Sequence, residues 1–73
     1  MNDKQVALDA CDFTQNDHVT KAASAYVDAF MAAEGEANAD ALRKKAGERF
    51  KLGLSVFKAA HDSCRALVDQ VFP

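Results

Sequence analysis

Residues 39–71, ADALRKKAGERFKLGLSVFKAAHDSCRALVDQV, decide the fold. Within them Ala46, Phe50, Gly53, Phe57, Ala60, Cys64, Leu67 and Val71 recur at alternating steps of four and three residues. That spacing puts them on one side of a helix and predicts a single long helix with a heptad-like seam. Leu54, His61 and Val68 widen the seam on one flank. Alternate seam positions are small (Ala46, Gly53, Ala60), which suits close approach by a second helix. Gly47 and Gly53 weigh against this, since each costs about 1 kcal/mol relative to alanine in a helix interior. Gly53 has a packing rationale on the seam. Gly47 has none, so a kink near Gly47–Gly53 is the alternative.

Upstream, residues 17–34 predict a second helix. Val19, Ala22, Ala23, Tyr26, Ala29, Phe30 and Ala33 share one face at three- and four-residue steps. Gly35 follows where a left-handed residue ends a helix, and Asn38 or Asp40 can cap the next one. Glu34, in the last turn, opposes the helix dipole. Residues 3–12 predict a short first helix behind an Asn2/Asp3 cap, although Val6, Leu8 and Phe13 fit no single period. Thr14-Gln15-Asn16-Asp17 predicts a polar break. The expected architecture is all-α: one domain over 1–73, a helical hairpin or three-helix bundle with a short N-terminal and a long C-terminal helix. At 1.5 Å per residue the long arm spans roughly 50 Å and its partner about 27 Å, so the overhang needs cover.

The chain has 73 residues, enough for one small domain. Fifteen are alanine and only nineteen are large apolar residues, which favours helix and gives a thin core. The net charge of −2 excludes a bulk polyanion binder. Residues 1–40 carry eight acids and two bases, and residues 41–73 three acids and seven bases. Antiparallel packing of the two halves is therefore favoured modestly. The start, MNDKQVALDACDF, lacks the basic and apolar runs of an export signal, and no stretch approaches the ~20 apolar residues of a membrane span. The expectation is a cytoplasmic protein with free thiols at Cys11 and Cys64, a disulfide between them being the lesser alternative.

Candidate chemistry is sparse. Cys11, His18, His61 and Cys64 could in number form a zinc site, but the spacing of Cys11 and His18 is unlike structural zinc sites, and His61 and Cys64 lie on the apolar seam. A Cys64/His61 nucleophile pair lacks an orienting third group. No catalytic residue, cofactor or metal is predicted. Arg43, Lys44, Lys45, Arg49 and Lys51 could meet nucleic-acid phosphates, with no aromatic placed for base stacking. Lys44, Lys51, Lys58 and Arg65 recur every seven residues, with Glu48, Asp62 and Asp69 three or four residues from them, as on a solvated helix face. Surplus apolar residues are the more pointed signal: Val27 and Met31 at the edge of the first stripe, Leu52 and Val56 off the seam, and Val6, Leu8 and Phe13.

The function expected is that of a non-enzymatic, protein-binding regulator or inhibitor, in the manner of phage or mobile-element accessory proteins. It would occupy a larger protein partner through Val27, Met31, Arg49, Leu52 and Val56. The alternatives are nucleic-acid binding through residues 43–51 and a structural homo-oligomer such as a homodimer. No membrane role is expected.

Overall fold

A computed structural model describes residues 2–73. It holds two antiparallel helices, α1 (Asp3–Ala32) and α2 (Ala39–Val71), joined by a short turn. The hairpin reading holds, and the three-helix alternative does not: the expected break at Thr14–Asp17 lies inside unbroken helix. None of those four residues is Gly or Pro, so nothing forces the chain out of helix. Their polarity has other uses. Asp17 pairs with Lys21 one turn on (2.9 Å), and His18 stacks on Phe57 across the hairpin (ring centroids 5.5 Å). The first helix is therefore 30 residues long and the second 33, and the predicted mismatch of arms disappears.

The ends follow local chemistry. The Asn2 side chain accepts from the backbone N–H groups of Lys4 and Gln5, capping α1 as expected. Gly35 has φ +82°, the left-handed conformation glycine adopts cheaply. Asn38 precedes α2 without a side-chain cap bond. Neither Gly47 nor Gly53 breaks α2. The close-approach rationale for Gly53 fails: an added Cβ would meet only the ring of Phe57, one turn along the same helix, at 3.8 Å.

Cross-hairpin pairs keep one register. Lys4 pairs with Asp69, Cys11 with Cys64, Asp12 with Arg65, His18 with Phe57, Tyr26 with Phe50 and Glu34 with Arg43. The two residue numbers of each pair add to between 73 and 77. Cys11 and Cys64 fall in the middle of that range. Their Cα atoms are 6.0 Å apart, within bridging distance, and they form a disulfide. This corrects the free-thiol expectation, which rested on compartment alone.

The core is thinner than expected. Among the described residues only Cys11 and Ala33 are buried, at 5% and 2% exposure. Tyr26, Phe50, Phe57, His61, Cys64 and Val68 are half-buried, whereas Ala60, Leu67 and Val71 are exposed. A helix with 3.6 residues per turn drifts about 20° per heptad from a strict seven-residue repeat. Over α2 the seam accordingly leaves Ala60 and Leu67 for His61 and Val68. The Cα positions extend over 55 × 19 × 7 Å, a single layer of helices, where a stable domain has two.

Candidate interaction surface

The turn end is held by one side chain. Arg43, on the first turns of α2, donates from Nε to the Phe30 carbonyl (3.2 Å) and from Nη2 to Glu34 (2.8 Å). Its guanidinium also lies 3.9 Å from the centroid of the Phe30 ring. α1 has no basic residue in its last turn, so Arg43 brings the favourable cation there from the other helix. Glu34, read from the sequence as opposing the dipole, is the acid that anchors this cation.

The open end is held by the disulfide and an ionic cluster. Asp12 Oδ1 accepts from His61 Nε2 (2.6 Å) and Arg65 Nη1 (2.8 Å). The His61 hydrogen bond first, and then that of Arg65, hold the Asp12 carboxyl below the usual carboxylate range. Both thiols of the tentative zinc set are consumed by the bridge. No group of three or more His, Cys, Asp or Glu side chains is placed to share a metal among the described residues.

The five partner-binding candidates divide between the arms. Relative to the Tyr26 seam position, Val27 and Met31 lie about 100° and 140° round α1. Relative to Phe50, Arg49, Leu52 and Val56 lie about 100°, 160° and 120° round α2 in the opposite sense. In an antiparallel pair, rotation in the same sense round each helix leads to the same face. Val27 and Met31 therefore lie away from Arg49 and Val56. On α2, Arg49, Leu52 and Val56 form one stripe at steps of three and four, and Leu52 points outward at 67% exposure. Val6 and Phe13, 50% and 75% exposed, look outward on α1, which is why they broke the period.

The basic residues do not converge. Arg43 is tied to Phe30 and Glu34, Lys45 and Arg49 line grooves on one face, and Lys44 and Lys51 fall to the other side of α2.

Sequence reasoning missed a feature on the Arg49 side. Shallow apolar grooves run between the arms there, lined near the turn by Ala22, Ala25, Ala29 and Ala46 with Arg49 at the rim. Toward the open end a further groove has Ala7, Ala10, Thr14 and Ala60 among its lining residues. Ala10, Ala25 and Arg49 each immediately precede a seam residue, so all three turn toward the same face. The signal was present as alanine at 7, 10, 22, 25, 29 and 32. Four of the six lie within the predicted 17–34 helix, and reading 14–17 as a break hid only their continuation through Ala10 and Ala7.

The fold and surface together define a two-helix hairpin, bridged near its open end, with a single layer of side-chain packing. No family model matches the chain, and neither a curated protein nor a solved structure does. No helix among the described residues is long and apolar enough to cross a membrane.

Proposed function

We propose that this chain is a non-enzymatic protein-interaction module, a regulator or inhibitor that occupies a surface of a larger protein through the outer edge of α2. One observation carries the reading: eleven large apolar side chains stand 36–75% exposed, while only Cys11 and Ala33 are buried. Scattered exposed apolar residues are ordinary, but an excess on this scale over the buried set marks surface meant for another chain. Leu52 is the central anchor, with Val56 one turn beyond it and Arg49 supplying orientation.

The bridge bears on location as well. Reducing compartments keep thiols open, so a Cys11–Cys64 disulfide favours an oxidising setting over the cytoplasm.

The test is capture from host lysate by tagged chain, comparing wild type with Leu52→Asp. Leu52 makes no cross-hairpin pair, so the variant keeps its helical circular dichroism, and capture is expected to fall at least tenfold. Undiminished capture by a folded Leu52→Asp chain removes this edge as the contact.

A further inference from the structure

The alanine-lined grooves lie on the face flanking Leu52, and the geometry points to a second copy of this chain as their occupant. Two hairpins would stack groove to groove, antiparallel, into a four-helix bundle.

Three observations carry the inference. The first is area. A face of 55 by 19 Å offers about 1,000 Å² to a partner, above the ~800 Å² per side of a standard interface. The second is the lining. Ala22, Ala25, Ala29 and Ala46 carry no side chain beyond Cβ, so another helix can approach to the 8–10 Å spacing of packed helices. Leu42, Val56 and Leu67, all exposed, turn to this face and supply larger apolar contacts along it.

The third is charge. The half of the hairpin nearest the turn, residues 19–53, has six bases and five acids, two of the bases (Lys45 and Arg49) lining the groove. The open half, residues 1–18 and 54–73, has six acids and three bases. Antiparallel stacking sets the turn half of one copy over the open half of the other, so opposite charges meet. Parallel stacking sets like over like. A two-fold axis through the middle of the face satisfies the antiparallel arrangement with a closed, self-complementary contact.

Leu52 looks away from the groove, so such a dimer leaves this central anchor of the docking edge open in both copies, while Arg49 and Val56 turn to the shared face. Leu52 and the groove alanines are separable by mutation. Light scattering and sedimentation over a dilution series, without reductant, test the inference. Wild type and Leu52→Asp are expected at twice the 7.9 kDa chain mass at micromolar concentration. Ala29→Glu, an exposed groove position, is expected at the monomer mass with its helical signal retained. Val27→Glu, on the opposite face, remains a dimer. A wild-type chain that stays monomeric to millimolar concentration overturns the inference, as does an Ala29→Glu chain that still dimerises. If the wild type is monomeric yet captures a partner through Leu52, the second-copy assignment fails while the docking edge stands. The reverse pattern, a groove-dependent dimer with no Leu52-dependent capture, separates the failures the other way.

Discussion

At the scale of residues, the open end turns on Asp12. Its carboxylate faces His61 and Arg65 of α2 at 2.6 and 2.8 Å. Because these hydrogen bonds depress its pKa in the folded chain, the contribution is fully present above the unfolded value near 3.8. It is lost as pH falls through the lower folded value. Thermal unfolding of wild type and Asp12→Asn should therefore differ at pH 6 and converge as pH drops below about 4. A gap that persists at pH 2 would show that Asp12 acts by something other than its charge. Arg43 is the counterpart at the turn, where one guanidinium serves a carbonyl, a carboxylate and a ring. It looked like one of five equivalent bases in the sequence. Only folding shows that it is spent internally, because its partners lie 9 and 13 residues away.

At the scale of elements, glycines at different positions have opposite expected effects. Gly35→Ala forces a Cβ into the left-handed region and should cost about 1 kcal/mol. Gly47→Ala, where the new Cβ meets only the Tyr26 ring at an ordinary 4.0 Å, should gain about 0.5–1 kcal/mol. Urea midpoints read both, and a loss at Gly47 would mean that the helix needs its freedom there. α2 was legible from its sequence because its period runs past both glycines, from Ala46 to Val71. The Gly35 stop and the Asn2 cap were legible for the same local reasons. The first arm was read wrongly because four consecutive polar residues resemble a loop when their partners are unknown. Asp17 satisfies Lys21 and His18 finds Phe57, so the helix continues at little cost. The disulfide was discounted on compartment grounds, and a continuous first arm is what brings Cys11 level with Cys64. Of the candidate surface, Arg49, Leu52 and Val56 were legible as a stripe. The extension of the alanine groove toward the open end became visible only with a continuous α1.

At the scale of the whole molecule, a single layer of two helices buries too little apolar surface to be secure. The bridge compensates on the side of the unfolded chain. Closing a loop across 53 residues contributes about 4 kcal/mol in the chain-entropy account. For a chain of this size that corresponds to roughly 20 °C in melting temperature, the drop expected on reduction by a dithiol. A melting curve indifferent to reductant would mean that the register, and not the bridge, holds the arms together. The central claim is that register: two unbroken arms, antiparallel, paired level by level from the turn to the open end. It is tested most directly by the distance between spin labels carried on unnatural amino acids at exposed Asp9 and Ala66, with labelled chain diluted into unlabelled chain. The hairpin predicts one narrow distribution near 20–30 Å, helices in contact being 8–10 Å apart before the outward reach of both side chains and labels is added. A mean beyond about 40 Å, or two populations separated by a hinge at residues 14–17, would contradict it.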